Sequence, residues 1–342
     1  MKMKFIKRLP TKQEIIEQMP ISDKAQQIRE KKVNAVKDIL SGKDSRFLLI
    51  IGPCSADNED SVMDYIERLA FMQEKVADKL LLVPRIYTNK PRTTGAGYKG
   101  MMHQPDPSKE PNMHEGILSI RRLHLRSIED YGMPAADEML YPDNYSYLDD
   151  LLSYIAIGAR SVENQQHRLT CSGVNVPVGM KNPTSGDFSV MLNAVNAAQH
   201  PHRFIYRGYE VESDGNPYAH AILRGAVNSY GRNIPNYHYE DLKYFIDLYQ
   251  KTSYENKSVI IDTNHSNSMK QYEEQPRIAK EILFSRNYDK EIRTFVKGLM
   301  IESYIEGGSR KIDEECYGKS ITDPCLGWNA TEQLIQYIAE HA

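Results

Sequence analysis

Four residues that lie far apart in the sequence are of the types that together bind a divalent transition metal. Cys54, His265 and Glu302 end or follow apolar runs, and Asp323 lies in the segment GKSITDPC. A thiolate, an imidazole and two carboxylates suit Mn²⁺, Fe²⁺, Co²⁺ or Zn²⁺, whereas Mg²⁺ and Ca²⁺ prefer ligands that are all oxygen. Each residue alone is more often structural, so the metal hypothesis requires that the four meet in space.

A second group of residues is cationic and also follows apolar runs. Its members are Arg85, Lys90, Arg92, Arg160, Lys181 and Arg224. Burying several like charges is costly unless anions meet them. Arginine offers a planar fork matched to phosphate and carboxylate, and lysine offers a point charge. We therefore expect anionic ligands, and six cations favour two phosphorylated molecules. The alternative is that each cation pairs with a local acid in a surface ion pair.

The elements that would position these residues are short β-rich runs alternating with segments of helical period. The predicted strands are 47–54, 80–88, 134–139, 156–162, 177–181, 202–206, 258–264 and 296–303. The clearest predicted helices are 61–76, 148–155, 239–250, 277–284 and 331–338, the last with Asn329 as N-cap. This pattern predicts an α/β protein with a (β/α)₈ TIM barrel, whose chemistry lies at the carboxyl ends of the strands. A doubly wound open sheet is the alternative, and it would usually need fewer strands.

Residues 1–45 precede the predicted barrel. The segment TKQE at 11–14 is a capping box that begins a short helix, and a second helix at 22–41 is closed by Gly42. We therefore expect an N-terminal extension of residues 1–45, with a role in assembly or regulation, and a catalytic barrel of residues 46–342.

Composition excludes several classes of function. There are 43 Lys+Arg against 46 Asp+Glu, a formal net charge of −3, so general nucleic-acid binding is not expected. The tightest apolar runs, 47–51 and 80–83, are too short to span a bilayer, and the N-terminus lacks the apolar stretch of a secretory signal. Four cysteines without a CxxC pair do not make a disulfide framework. We expect a cytoplasmic protein that binds neither membrane nor nucleic acid.

A glycine motif at 95–100 matches GxGxxG, the fingerprint of dinucleotide-binding enzymes. That fingerprint must begin a helix directly after a strand. Prolines at 105, 107 and 111 follow instead. We therefore interpret the segment as a loop over the barrel mouth, and a dinucleotide oxidoreductase stays a weak alternative.

Eight motifs, in order along the chain, resemble those of the class I 3-deoxy-D-arabino-heptulosonate 7-phosphate (DAHP) synthases. They are IGPCS (51–55), KPRTT (90–94), AIGAR (156–160), PVGMKN (177–182), ILRG (222–225), NHSN (264–267), MIES (300–303) and GKSITDPCLGW (318–328). The resemblance implies a (β/α)₈ barrel that condenses phosphoenolpyruvate with erythrose 4-phosphate. This reaction is the first step of the shikimate pathway to chorismate and the aromatic amino acids. The resemblance also implies a homodimer or homotetramer.

The resemblance assigns roles residue by residue. The implied metal ligands are Cys54, His265, Glu302 and Asp323. The implied phosphoenolpyruvate-binding residues are Arg85, Lys90, Glu138, Ala159, Arg160, Lys181 and Arg224. The implied erythrose 4-phosphate-binding residues are Lys90, Pro91, Arg92 and Thr93. Lys90 lies between the two substrate sites and is the expected proton donor, with a metal-bound water or Asp323 as the alternatives.

Members of this family often bind Phe, Tyr or Trp as a feedback inhibitor, through an N-terminal arm and a hairpin after the sixth strand. Residues 1–45 and about 207–222 occupy those places here.

Two alternative functions remain. A sister synthase would use arabinose 5-phosphate, against which KPRTT and the N-terminal extension argue. A non-catalytic barrel would only sense aromatic amino acids, against which the presence of all four metal ligands argues.

Overall fold

The computed structural model describes residues 2–92, 95 and 97–342. Its strands are β1 (Phe47–Gly52), β2 (Leu80–Pro84), β3 (Ala136–Glu138), β4 (Tyr154–Ile157), β5 (Val178–Lys181), β6 (His202–Tyr206), β7 (Tyr209–Ser213), β8 (Ala219–Leu223), β9 (Ala226–Val227), β10 (Asn233–Ile234), β11 (Val259–Asp262), β12 (Val296–Glu302), β13 (Glu306–Ser309) and β14 (Lys319–Ser320). Its α-helices are α1 (Lys12–Gln18), α2 (Asp23–Ser41), α3 (Glu59–Val76), α4 (Met113–Glu129), α5 (Pro142–Tyr145), α6 (Gln165–Ser172), α7 (Phe188–Gln199), α8 (Tyr239–Gln250), α9 (Gln275–Tyr288), α10 (Lys290–Phe295) and α11 (Trp328–His341).

Eight of the strands form one parallel sheet that closes on itself. Their order is β2-β1-β12-β11-β8-β5-β4-β3. The two ends of this series, β2 and β3, meet through a parallel bridge between Arg85 and Ala136. Helices follow the strands along the chain. The arrangement is a (β/α)₈ barrel and confirms the predicted fold class.

Apolar side chains fill both faces of the barrel wall. Leu48 and Ile50 of β1 pack in an inner cluster with Val83. Their neighbours Leu49 and Ile51 belong to the outer cluster that includes residues of the helices. Because successive side chains of a strand point to opposite faces, a strand covered on both sides is apolar throughout, as FLLIIG is.

The N-terminal helices are capped as the sequence predicts. Thr11 begins α1 in a capping box, and Gly42 ends α2 in the left-handed conformation at φ 79°, which glycine adopts without steric cost. Val36 and Ile39 of α2 pack with the residues of the barrel interior. Gly42 lies beside Lys297 near the start of β12. Helix α2 therefore covers the amino-terminal end of the barrel.

The sixth barrel strand is not the predicted one. The predicted strand at 202–206 is β6, which pairs antiparallel with β7 in a separate hairpin. The barrel position between β5 and β11 is taken by β8. Half-buried and exposed residues alternate in β6, whereas every residue of β8 is buried. The hairpin therefore precedes the sixth barrel strand, and the prediction of a hairpin after it, at about 207–222, is wrong.

The predicted helix at 148–155 is also wrong. The segment begins with a turn instead, in which Leu151 and Leu152 both donate their N–H groups to the carbonyl of Leu148. Ile155 belongs to the next barrel strand, β4. That strand therefore begins earlier than the predicted 156–162 and ends at Ile157, directly before the glycine of AIGAR, where the loop to α6 begins.

The last helix, α11, shows the amphipathic pattern expected of a helix on the outside of a barrel. Leu334, Ile335 and Ile338 are buried, and exposed polar residues lie between them. Its N-cap is Gly327, not the predicted Asn329. In the described part of the chain, no helix is both long enough and apolar enough to cross a membrane.

Candidate active site

The carboxyl ends of the barrel strands and the loops that follow them form a polar pocket. Its lining includes Cys54, Arg85, Lys90, Pro91, Arg92, Glu138, Ala159, Arg160, Lys181, Arg224, His265 and Asp323. Glu302 is buried at the end of β12, beneath the pocket. Thr93, a predicted substrate residue, lies outside the described residues. The structure thus brings the other predicted site residues together, and their individual roles stay predictions.

The predicted metal ligands converge. One donor atom each of Cys54, Glu302 and Asp323 lies within 4.8 Å of the other two. Cys54 Sγ is 3.3 Å from Asp323 Oδ2. His265 approaches from the loop after β11, with its Nε2 3.9 Å from Glu302 Oε1. The thiol and the two carboxylates form one group, and together with the imidazole beside Glu302 they fit the donor set of a transition metal ion.

The Lys90 ammonium contacts two of these four residues. Its Nζ lies 2.6 Å from Cys54 Sγ and 2.8 Å from Asp323 Oδ2. Burial by itself lowers the Lys90 pKa, but the negative groups around it, Cys54 foremost, raise the pKa by more, so that it is raised overall. Lys90 is in turn the main cause of the lowered pKa of Asp323. This corner of the pocket therefore attracts positive charge.

Burial favours the protonated thiol form of Cys54, although the Lys90 ammonium lies beside it. Burial, followed by the charge of Glu302, raises the pKa of Cys54 to about 12. A thiol with such a pKa is protonated at neutral pH, and the thiolate is the form that ligates metals. Metal binding here would therefore displace a proton from Cys54.

A buried ion pair fixes Glu302. Arg85 Nη2 lies 2.7 Å from Glu302 Oε1, and the two side chains are 2% and 1% exposed. Asn264 donates to the other carboxylate oxygen at 2.6 Å. Burial is the largest single effect and raises the Glu302 pKa, but Arg85, His265 and Lys90 together lower it by more, so that it is lowered overall. Glu302 is thus a carboxylate with a set orientation, as a ligand must be.

Two guanidinium groups offer buried donors to the pocket. Among the described residues, Nη1 of Arg85 and Nη1 of Arg224 are buried and have no hydrogen-bond partner. Burial, together with the like charge of Arg160, lowers the Arg224 pKa. Buried donors without partners are unfavourable, and an anion bound between them would satisfy both.

Glu138 places a carboxylate in this otherwise cationic wall. A Cβ atom at Gly158 would lie 2.5 Å from its Oε1. The glycine of AIGAR is therefore required for the Glu138 side chain to occupy this position.

Sequence reasoning missed the role of Asp262, the buried carboxylate beside His265. Oδ2 of Asp262 lies 2.9 Å from His265 Nδ1 and 3.1 Å from Lys181 Nζ. Burial raises the Asp262 pKa, but His265 and Lys181 lower it by more, well below its ordinary value. The spacing Asp-Thr-Asn-His, directly after an apolar strand, is the signal that could have indicated this residue.

The barrel fold, with a transition-metal donor set beside buried cations, defines an enzyme class that acts on small anionic molecules. A family model described as the DAHP synthetase I family matches residues 18–336. The chain belongs to this family, which confirms the resemblance.

Named relatives agree with this assignment. The chain is 37% identical over 336 residues to the phenylalanine-inhibited phospho-2-dehydro-3-deoxyheptonate aldolase of Saccharomyces cerevisiae, covering 94% of this chain and 88% of the relative. It is 34% identical over 347 residues to the Phe-sensitive aldolase of Escherichia coli, covering 99% and 96%. The solved structure of the Francisella tularensis aldolase superposes with a TM-score of 0.92 at 30% identity, covering 99% of this chain and 98% of that chain. The prediction of a 3-deoxy-7-phosphoheptulonate synthase, another name for this aldolase, is confirmed.

Proposed function

We propose that this enzyme condenses phosphoenolpyruvate with D-erythrose 4-phosphate and water to give 3-deoxy-D-arabino-heptulosonate 7-phosphate and inorganic phosphate. The observation that carries the proposal is the meeting of a metal donor set and unpartnered guanidinium groups in one pocket. Membership of the DAHP synthetase I family supports the same reaction.

The metal in this proposal is one divalent ion, Mn²⁺, Fe²⁺, Co²⁺ or Zn²⁺, held by Cys54, His265, Glu302 and Asp323. When bound, it would supply Lewis-acid polarisation of the aldehyde carbonyl. Asp262 would support the site by orienting the His265 ring through Nδ1.

The proposed binding residues, most of them cationic, fall into two sets, one for each substrate. Phosphoenolpyruvate would bind to Arg85, Lys90, Glu138, Ala159, Arg160, Lys181 and Arg224. Erythrose 4-phosphate would bind to Lys90, Pro91, Arg92 and Thr93. Pro91 joins the two sets, since its carbonyl accepts from Arg160 Nη1 at 3.3 Å. Holding both reactants in attack geometry can contribute about 7–11 kcal/mol toward the barrier.

Lys90 is the proposed proton donor. Attack by C3 of phosphoenolpyruvate on the aldehyde carbon forms the new C–C bond, and the aldehyde oxygen must take up a proton. Water then adds at C2, and phosphate leaves by C–O cleavage. Lys90 carries a proton at neutral pH, lines the pocket and belongs to both sets of proposed binding residues. The alternative donor, Asp323, has a lowered pKa and is a carboxylate there.

Phosphate release from purified enzyme tests the reaction and its alternatives. We expect release with phosphoenolpyruvate and erythrose 4-phosphate, loss of activity after chelation, and recovery with Mn²⁺. Arabinose 5-phosphate in place of erythrose 4-phosphate identifies the sister synthase. A non-catalytic sensor would bind an aromatic amino acid and release no phosphate with either sugar.

We also propose feedback inhibition by Phe, Tyr or Trp at a second cavity. The N-terminal helices, the segment before β4 and the hairpin line it with residues that include Lys12, Arg29, Asp149, Thr170, Phe204 and Tyr206. Within the described residues, Asp149 Oδ1 and Thr170 Oγ1 are buried without hydrogen-bond partners. These oxygens could accept from an α-ammonium group while the aromatic rings contact the side chain. Titrating activity with each of the three amino acids tests this proposal.

The organisation of the protein is part of the same proposal. We place the regulatory extension at residues 1–45 and the catalytic barrel at 46–342, in a cytoplasmic homodimer or homotetramer. Light scattering on purified enzyme, with and without aromatic amino acids, measures the assembly.

A further inference from the structure

The barrel has one weak seam, between β2 and β3. The other neighbouring strand pairs are joined by ladders of several residues. Across the seam, the described backbone shows a bridge between Arg85 and Ala136 and an N–H of Ile86 that donates to Ala136 at 2.9 Å. Past this point the chain after β2 leaves the barrel wall and enters an active-site loop, while β3 continues to Glu138 beside β4.

The side chain of Asp137 continues the seam where the backbone ladder ends. Its Oδ1 accepts from the backbone N–H of Thr88 at 2.9 Å, and its Oδ2 accepts from the Thr88 hydroxyl at 2.5 Å. Oδ1 also accepts from the backbone N–H of Glu138 at 2.7 Å. One carboxylate therefore holds the end of β3 and the chain beyond β2 together.

This network is sealed from water. Thr88 is fully buried and Asp137 is 3% exposed. The ring of His124 covers the carboxylate from α4, with its Nε2 3.7 Å from Oδ2. Because water is excluded, it cannot replace a lost bond to the carboxylate, and the loss is expected to move the chain.

The chain that Thr88 anchors carries the residues proposed to hold the sugar phosphate. The Thr88 carbonyl accepts from the N–H of Met102 at 3.2 Å, and the N–H of Lys90 donates to the Lys99 carbonyl at 3.0 Å. Gly100 packs so tightly that a Cβ there would lie 2.3 Å from the Thr88 oxygen. The loop thus begins after Thr88, and its far end, at Gly100 and Met102, packs back against Thr88. Two residues further on, Lys90 reaches the group of proposed metal ligands.

We propose that Asp137 is a positioning residue for the condensation. By binding the N–H and hydroxyl of Thr88, its carboxylate determines where the Lys90–Arg92 segment lies. By binding the Glu138 N–H, it also determines where Glu138 lies, on the side of the pocket proposed for phosphoenolpyruvate. This inference rests on the proposed function, because it assigns the two sides of the pocket to the two substrates.

Thr88→Val and Thr88→Ser separate positioning from folding. Valine keeps the shape and the N–H but loses the hydroxyl, and serine restores the hydroxyl. We expect Thr88→Val to raise KM for erythrose 4-phosphate about tenfold or more, the effect of one hydrogen bond to a charged group. KM for phosphoenolpyruvate should rise by a smaller factor, because within the Lys90–Arg92 segment Lys90 alone is also proposed to bind that substrate. Thr88→Ser should stay within about twofold of wild type for both substrates. Asp137→Asn should raise both KM values, because it weakens both sides of the seam.

Ser153→Ala is the matched control. Its buried hydroxyl donates to the Pro134 carbonyl at 2.8 Å, ahead of β3 and away from the pocket. It should lower the melting temperature about as much as Thr88→Val and leave both KM values unchanged. Unchanged KM values in a folded Thr88→Val enzyme, or a Thr88→Ser enzyme as impaired as Thr88→Val, would overturn the inference. Should Asp137→Asn fail to fold, the Thr88→Val and Thr88→Ser variants still test the inference. A wild-type enzyme that releases no phosphate would instead refute the proposed function.

Discussion

Several side chains in the pocket bury polar groups, which costs free energy until a ligand binds to those groups. The Cys54 pKa is raised to about 12 because the thiol is buried beside Glu302. Arg224 presents a buried nitrogen that no described residue bonds. A cation satisfies the first and an anion the second, so binding free energy offsets the cost of building the site. Substitutions of such residues should therefore affect ligands more than folding.

Cys54→Ser should lose metal and activity together. Serine keeps the approximate size but removes the soft donor that distinguishes this site from an all-oxygen one. We expect metal content, measured by elemental analysis, to fall about tenfold or more, with kcat/KM falling in parallel. Cys316→Ser, in the half-exposed loop after β13, is the matched control and should retain both. Full turnover by the Cys54→Ser enzyme would contradict the ligand role.

Arg224→Ala and Arg92→Ala should show that the two substrates bind to different parts of the pocket, because each variant should weaken binding of one substrate. Arg224 has a buried donor facing the proposed phosphoenolpyruvate side, and Arg92 is held beside the sugar side by donating to the Tyr98 carbonyl at 2.8 Å. Loss of a hydrogen bond to a charged group costs about 1.5–3 kcal/mol, or about tenfold or more in KM. Steady-state kinetics should show KM rising for phosphoenolpyruvate in the first variant and for erythrose 4-phosphate in the second. The same substrate affected in both would contradict this division.

The residues that the sequence predicted are those whose position follows from a strand end alone. Cys54 and Lys181 could be found because each stands where an apolar run stops. Asp137 could not be assigned a role, since its importance lies in its partner Thr88, which only the folded chain identifies. Sequence order shows which side chains reach the pocket, but not which ones hold the others in place.

At the scale of elements, helix α2 covers the barrel base and carries a charge into it. Lys32 is buried, and its Nζ donates to the Leu82 carbonyl at 3.0 Å. Burial, followed by the charge of Arg46, lowers the Lys32 pKa from 10.5 to about 8. Between these two pH values the unfolded chain binds more protons than the folded one, so stability rises with pH there.

Lys32→Met should stabilise the protein at neutral pH and lose this advantage in alkali. Below pH 8 the buried ammonium costs about 3 kcal/mol, which the loss of the bond to Leu82 reduces by about 1 kcal/mol. The cost declines from pH 8 to 10.5 and is absent above. Urea unfolding at pH 7 and pH 10 should show the difference in unfolding free energy shrink. Lys31→Met, at an exposed neighbouring position, should show little change at either pH. An equal gain at both pH values would contradict burial of the charge.

Besides the helix predicted at 148–155, the sequence placed the sixth strand wrongly, for a physical reason. HRFIY, the β6 sequence, combines β-branched and aromatic residues and has strong strand propensity, but its alternation suits a hairpin with one covered face. AHAIL forms the barrel strand β8 although alanine and histidine weaken its signal. Small residues pack inside a closed barrel, where tertiary contacts override local propensity. The predicted number of eight barrel strands was nevertheless correct, because the hairpin strand β6 was counted in place of the barrel strand β8.

At the scale of the whole molecule, three parts that are distant in sequence build the second cavity. Lys12 of α1 pairs with Asp149 at 2.5 Å, Arg29 of α2 donates to the Asp149 carbonyl at 3.0 Å, and Phe204 lies on the hairpin. Within the described ranges, this cavity and the active-site pocket share no lining residue. An inhibitor bound there must act through a coupling free energy between sites and not by displacing substrate.

Thr170→Val should weaken inhibition without harming the enzyme. The Thr170 hydroxyl lines this cavity and is buried without a partner in the described structure, so replacing it with an isosteric methyl should preserve or raise the melting temperature. If the hydroxyl bonds an aromatic amino acid, the concentration for half-inhibition should rise about fivefold to tenfold, with kcat unchanged. Ser258→Ala removes another buried, unpartnered hydroxyl just before β11, away from the cavity, and should leave inhibition as in wild type. An amino acid that inhibits wild type and Thr170→Val equally would show that it binds elsewhere, because the coupling depends on contacts made within the cavity.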